Sequence, residues 1–287
     1  VPEALRIERR EYKYLADEAL VDRVRHAIRP FCELDPYAAK APENRYTIES
    51  LYLDTPDLAL YRANDIELVD RFKLRVRHYP DAPKSPVFLE LKARYHDTIV
   101  KSRGMVGRDW APICSDPFVT RALLGTAPAV ERFVTHTHMI GARPTLLVRY
   151  SREAWASIVD DYARVTFDRQ IFGCLVEPDA WHFNADIRDY RGCDDPTGVR
   201  DVASLAIIEL KFTARVPRWM MSLIETLGLM RRSYSKYGRA LESLYLPSDD
   251  RTPSRPWTNN RLDATDGVDT VNRDAAGARR LTPVGRA

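Results

Sequence analysis

Arg71-Phe-Lys-Leu-Arg-Val-Arg-His-Tyr79 sets Lys73, Arg75 and Arg77 at every second position, with Phe72, Leu74 and Val76 between them. Successive side chains of a β-strand leave on opposite faces, so this stretch has one apolar and one cationic face. The alternation returns in Val87-Phe-Leu-Glu-Leu-Lys92, where Glu90 and Lys92 share a face. It returns again in Leu205-Ala-Ile-Ile-Glu-Leu-Lys-Phe212, with Glu209 and Lys211. One such strand is ordinary solvent patterning. Several, with cations dominating the ionic face, point to a surface built to hold a polyanion.

Outward from these stretches, eight segments read as strands: 6–14, 46–53, 71–79, 87–93, 98–107, 145–152, 162–168 and 205–213. A helix follows the first of them, capped by Asp17, with Leu20, Val21, Val24 and Ile28 on one face and a stop at Arg29-Pro30. Residues 57–63 read as a helical turn, and 116–140 as helical with a break at Pro128. Pro217 opens a helix that ends near Gly228, and a last helix runs from Ser235 to Tyr245. Residues 1–246 form one domain, whereas 247–287 are rich in Pro, Asp, Arg, Thr and Gly and read as a disordered tail.

Strands with one ionic and one apolar face have two solutions. They form a sandwich with the charges outward, or a barrel with the charges inward around a wet lumen and helices over the apolar outside. The patterning alone leaves both open. The ionic set comprises Glu11, Lys13, Lys73, Arg75, Arg77, Glu90, Lys92, Lys101, Arg103, Arg149, Arg164, Asp168, Glu209 and Lys211, with Lys236 at the start of the last helix. Cations dominate it, although the whole chain has 44 basic and 41 acidic residues and a net charge of only +3. That balance argues against a general nucleic-acid coat protein, so an anion site must come from local sorting of charge. If these groups converge, the cluster is uncomfortable when empty, because each uncompensated charge removed from water costs several kcal/mol. Arginine grips two phosphate oxygens with its planar fork, lysine adds point charge, and glutamates among them are candidates to hold Mg²⁺ or Mn²⁺.

Taken in order, these segments resemble the VTC domain, the polyphosphate-polymerase branch of the triphosphate tunnel metalloenzymes, over roughly Arg9 to Tyr245. The landmarks are Arg9-Arg-Glu-Tyr-Lys-Tyr14, Ile48-Glu-Ser-Leu-Tyr-Leu-Asp-Thr55, Lys73-Leu-Arg-Val-Arg77, Phe88-Leu-Glu-Leu-Lys92, Val165-Thr-Phe-Asp168, Ile208-Glu-Leu-Lys211 and Ser235-Lys-Tyr237. The resemblance implies an α+β fold built on an eight-stranded antiparallel barrel whose lumen binds triphosphate or polyphosphate. It implies that Lys13, Arg75, Arg77, Lys101, Arg149 and Lys236 grip phosphates and that Glu209 binds metal. The activity implied is transfer of the γ-phosphate of ATP onto inorganic polyphosphate. Hydrolytic relatives often begin Glu-x-Glu-x-Lys, whereas this chain has Arg9 at the first of those positions, which leans toward transfer to phosphate over transfer to water.

The expectation is therefore a metal-dependent phosphotransferase. Arg75, Arg77, Lys101, Arg149 and Lys236 stabilise the transferring group, and Lys13, Lys73, Lys92, Arg103, Arg164 and Lys211 hold further phosphates. Glu209, with Glu11 or Glu90, holds Mn²⁺ or Mg²⁺. A hydrolase of tripolyphosphate or nucleoside triphosphates on the same barrel, and a non-catalytic polyphosphate sensor, are the alternatives. ATP and polyphosphate are the expected partners, with no nucleic acid. No apolar run approaches the ~20 residues that span a bilayer, and no basic-then-apolar leader opens the chain. Cys32, Cys114, Cys174 and Cys193 are irregularly spaced and read as reduced thiols, so the expected setting is cytoplasmic. His136 and His138, two apart in a helical stretch, do not share a face, and Gly104-x-x-Gly107 reads as a turn.

Overall fold

The computed structural model describes residues 10–95, 98–122, 125, 127–183, 185–193, 206–213 and 215–245. The tail, Arg9 and the first residues of the expected 6–14 strand lie outside them. Ten strands are found among the described residues: β1 (Arg10–Ala16), β2 (Cys32–Leu34), β3 (Tyr46–Asp54), β4 (Asp70–His78), β5 (Val87–Tyr95), β6 (Thr98–Val106), β7 (Arg143–Ser157), β8 (Ala163–Leu175), β9 (Arg191–Gly192) and β10 (Ala206–Phe212). The helices are α1 (Glu18–Ile28), α2 (Ala59–Asp65), α3 (Ala111–Ser115), α4 (Pro117–Ala122), α5 (Pro128–Met139), α6 (Arg218–Thr226) and α7 (Lys236–Tyr245).

All strands join one antiparallel sheet in the order β1-β10-β8-β7-β3-β4-β5-β6, with short β2 on β7 and short β9 on β8. This corrects the expectation of a closed barrel. β1 and β6 end the order and, among the described residues, do not pair with each other, so the sheet is open along one seam. It is nevertheless curled far enough for Lys92 of β5 to reach Glu11 of β1 at 3.4 Å across that seam. Side chains, not ladder hydrogen bonds, bring the two ends together.

The pleat sorts the residues as the alternation requires. Leu51, Leu74, Val76, Leu89 and Leu91 face outward and are covered by Val130, Phe133 and Val134 of α5 and by Trp110. Val165, Phe167, Ile208 and Leu210 face outward beneath Val21, Val24 and Ile28 of α1 and Met220 and Leu223 of α6. Each such burial contributes about 1.5–3 kcal/mol, which is why the apolar face seeks the helices and leaves the ionic face inside. A third cluster lies inside the curl: Tyr237, Ala240 and Leu241 of α7 pack on Ile48, Tyr52, Leu146, Val148, Ile171 and Ile207. Helix α7 thus fills part of the interior.

Local signals place the helices. The Asp17 carboxylate accepts the Leu20 N–H at 2.7 Å and caps α1. Pro217 precedes α6, and Gly228 takes φ +59 just after it. The 116–140 stretch divides into α4 and α5, the latter opening at Pro128. Gly104 is not in a turn but within β6, where a Cβ would lie 2.6 Å from Val130 Cγ2 of α5. Strands β7 and β8 run well past the expected 145–152 and 162–168. A register shift between Arg149 and Ser151, opposite Gln170 at φ 52, breaks the alternation by which strands are read. None of the helices in the described residues is long and apolar enough to cross a membrane.

A cationic lumen as candidate active site

Phe72, Leu74 and Val76 turn outward, so Lys73, Arg75 and Arg77 turn into the curl. Opposite Arg75 in the ladder stands Glu90, and opposite Glu90 stands Arg103. Glu90 is only 1% exposed and gathers four cations: Arg75 and Lys101 at 2.6 Å, Arg103 at 3.2 Å and Arg77 at 3.8 Å. Burial alone would raise its carboxyl, but Arg75, Arg77 and Lys101 hold it well below the usual carboxylate range. Burial, with Arg75 and Arg77 close by, pushes the Lys101 ammonium down to about 7 against the pull of Glu90.

A second cluster forms where β1, β10, β8 and β7 meet the N-terminus of α7. Glu209 lies 2.6 Å from Lys211, 2.9 Å from Lys236, 3.1 Å from Arg152 and 3.9 Å from Lys13. Asp168, fully buried, takes Arg152 and Lys236 at 2.6 Å each. Lys236 also sits 5.0 Å from the centre of the Tyr150 ring. Burial opposes the charge on Lys236, but Asp168 and Glu209 outweigh it and raise its pKa above the ordinary value.

Between the two clusters the register itself is unfavourable. Lys73 stands directly opposite Lys92, and Lys92 directly opposite Lys101. Like charges facing each other across a ladder destabilise it. Lys73 donates to Ser235 Oγ at 2.8 Å, and burial with Lys13 and Lys92 nearby pushes its ammonium well below its ordinary value. Glu11 reaches Lys13 at 3.2 Å and Lys92 at 3.4 Å. Glu11, Glu90, Asp168 and Glu209 are far outnumbered by the cations around them, so the arrangement suits an anion with several charges along its length.

Of the residues expected in the site, Lys13, Lys73, Arg75, Arg77, Lys92, Lys101, Arg103, Lys211 and Lys236 are brought together. Arg164 is opposite Lys211 but exposed, at the rim of the same face. Arg149 is placed elsewhere. It pairs in register with Glu49 on the outer face, where His78 Nε2 approaches Glu49 at 2.5 Å and Tyr190 donates to the same carboxylate. The inward arginine of β7 is Arg152, which sequence reasoning misses. Its one signal is its odd spacing from Arg149, which puts the two on opposite faces of a regular strand.

The carboxylates expected to hold metal fall in two places. Glu90, like Glu209, is enclosed by four cations, but no carboxylate stands opposite or diagonal to it on β4 or β6, and there it acts as their counter-charge. Glu209 is diagonal to Glu11 on one neighbouring strand and to Asp168 on the other. Among the described residues no three His, Cys, Asp or Glu side chains gather as a ready cage. A Mg²⁺ or Mn²⁺ site completed by phosphate oxygens needs only one or two carboxylates, and Glu209 with Glu11 or Asp168 meets that requirement.

A family model described as "VTC domain" matches residues 8–245. No curated protein matches the chain. Among solved structures, a protein of Pyrococcus horikoshii OT3 aligns with TM-score 0.43 and 13% identity, covering 82% of this chain and 99% of its own. A candidate adenylate cyclase from Bacillus halodurans aligns with TM-score 0.43 and 11% identity, covering 80% and 94%. Another from Vibrio parahaemolyticus aligns with TM-score 0.40 and 11% identity, covering 82% and 98%.

Proposed function

Since the chain belongs to the VTC domain family, we propose that it is a metal-dependent polyphosphate polymerase, moving the γ-phosphate of ATP onto a growing inorganic polyphosphate chain and releasing ADP. The observation that carries this reading is the run of like-charged rungs, Lys73–Lys92–Lys101, beside the four cations around Glu90. Such a lumen is compensated by a long phosphate anion far better than by water.

Glu90 fixes the guanidinium groups of Arg75, Arg77 and Arg103 in place, and each guanidinium has five N–H donors, more than Glu90 uses. With Lys101 they bind and orient the triphosphate. In the transfer, the bond from the γ-phosphorus to the β–γ bridging oxygen breaks while one forms from a terminal oxygen of the polyphosphate chain. That oxygen is already ionised, so no general base is required, and positioning with charge stabilisation supplies the catalysis. A Mg²⁺ or Mn²⁺ ion held by Glu209 with Glu11 or Asp168 would neutralise charge on the phosphate oxygens. Lys236, clamped by Asp168 and Glu209, keeps those carboxylates in position.

The two ends of the lumen differ in chemistry. Opposite Arg77 stands Phe88, under the Arg103 guanidinium, and beyond it lie Tyr79, its ring centre 6.0 Å from that of Phe88, and Tyr46, 6.1 Å from Tyr79, a mouth suited to a nucleoside. Beyond Arg75 lie Lys73 and Lys92, suited to phosphate. ATP therefore presents its γ-phosphate inward, ADP leaves by the aromatic mouth, and the polymer extends toward the lysines.

Incubating the protein with ATP and Mn²⁺ and sizing the phosphate products on a gel tests the reading. A polymer ladder with ADP is expected. Orthophosphate without polymer would indicate the hydrolase, and binding without turnover the sensor. Arg75→Ala or Arg77→Ala should cut the rate roughly 100-fold or more, the usual loss when one preorganised donor at a transition state is removed. Synthesis at the wild-type rate in either variant would mean that the arginine replaced does not stabilise the transferring phosphoryl group.

A further inference from the structure

We infer that the phosphate track does not end at Lys73 and Lys92 but continues to an outer subsite made by Arg71 and Arg94, which binds the distal phosphates of a long polyphosphate chain and sets a chain-length preference. This rests on the reading that the lumen holds a phosphate chain.

Three observations carry it. Arg71 and Arg94 stand directly opposite each other, on the rung after Lys73 and Lys92. Their sequence neighbours Phe72 and Ala93 belong to the outward apolar core, so both arginines lie on the lumen side of their strands. The rung is like-charged, as is the one before it, so cationic side chains continue along the lumen face of β4 and β5 past Lys73 and Lys92. Burial, with Arg94 close by, also pushes the Arg71 guanidinium down from its ordinary value, against the pull of Glu67, while Arg71 donates to the Leu68 carbonyl.

The spacing separates short ligands from long ones. Each rung of the same face advances roughly 6.6 Å, so Arg71 lies about 20 Å along β4 from Arg77. A triphosphate seated between Arg75, Arg77 and Lys101 stops short of it, while a longer chain running past Lys73 reaches it. Paired arginines are the side chains best shaped to take successive phosphate oxygens bidentately, and they would hold the chain without touching the reacting phosphoryl group.

The test uses the double variant Arg71→Ala with Arg94→Ala in the whole chain, with tripolyphosphate and a long-chain polyphosphate titrated separately at one salt concentration. Affinity for tripolyphosphate should stay within about twofold. Affinity for the long chain should weaken roughly tenfold or more, the loss expected from one or two charge-assisted contacts. Arg71→Lys with Arg94→Lys, which keeps the charge and loses the fork, should fall between the two. Arg188→Ala, at an exposed arginine on another part of the surface, should alter neither affinity. Equal weakening for both ligands, no weakening for either, or the same loss in Arg188→Ala would overturn the subsite. The binding contrast decides this even if the wild type makes no polymer from ATP, an outcome that would instead sink the polymerase assignment.

Discussion

At the scale of single residues, Glu90 is the clearest case of a side chain whose role depends on its neighbours. It is a carboxylate on a cationic strand face, which in sequence makes it look like a metal ligand. In the fold it offsets Arg75, Arg77, Lys101 and Arg103 at once. Glu90→Gln would leave buried Arg77 and half-buried Arg75, with Lys101 and Arg103 at the exposed rim, without their shared counter-charge. The free protein should lose about 3–5 kcal/mol, the range for removing one partner of a buried ion pair. Tripolyphosphate should restore most of the loss by replacing the missing negative charge. Urea melts with and without the ligand check this; an unchanged midpoint in the ligand-free melt would mean the cluster is solvated and the charge argument fails. Arg149 and Arg152 teach the same lesson in reverse. Pleat parity places them on opposite faces, but nothing in Leu146-Leu-Val-Arg-Tyr-Ser-Arg152 says which face is inside. The answer comes from Asp168 and Glu209, which arrive from other strands to meet Arg152.

Among the elements, α1, α6 and α7 were legible because capping residues and apolar spacing act within a few residues of one another. The lengths of β7 and β8 were not, since a register shift interrupts the period by which a strand is recognised. Helix α7 owes its position to distant partners. Tyr237 donates to Asp54 at 2.6 Å, and the same carboxylate accepts the Leu60 and Tyr61 N–H groups at 2.8 Å each, so β3, α2 and α7 are tied at one point. Contact between β6 and α5 depends on a missing side chain. At Gly104 a Cβ would meet Val130 Cγ2 at 2.6 Å and the Val130 backbone nitrogen at 2.9 Å. Gly104→Ala should therefore cost about 1–3 kcal/mol by overpacking, seen as a lower urea midpoint. Gly107→Ala, where nothing lies within 4 Å, should leave it unchanged. If both variants melt like the wild type, the close approach of α5 to β6 is not a constraint.

For the molecule as a whole, the lumen's lysines link binding and stability to pH. Burial, the first cause in each case, pushes the ammonium groups of Lys73, Lys101 and Lys211 down, Lys101 to about 7. A bound polyanion pulls them back up. Below pH 7 Lys101 is already charged and its part of the affinity is complete; above pH 7 binding must first recharge it. Affinity for a long-chain polyphosphate, whose inner phosphates carry no titrating proton in this range, should weaken from about pH 7 upward, by up to tenfold per unit for each lysine involved. The stability of the empty protein runs the other way. Folded Lys101 gives up its proton near 7 and the unfolded chain only near its ordinary 10.5, so the unfolded state binds more protons between those values and stability rises with pH across them. Calorimetric titrations at two pH values above 7 test the first statement, and affinity that rises between them would refute it. The sequence by itself determined which residues share a strand face, where most strands and helices lie, and that cations were sorted onto one side, because pleat and helix period are local properties of the backbone. Only the tertiary structure decided that this side is the inside, that among the described residues the sheet stays open between β1 and β6, that Arg152 and not Arg149 joins the lumen, and that Glu90 balances charge. Those outcomes depend on which strands curl together and which helices claim the apolar face, and such long-range choices leave no mark in the spacing of neighbouring residues.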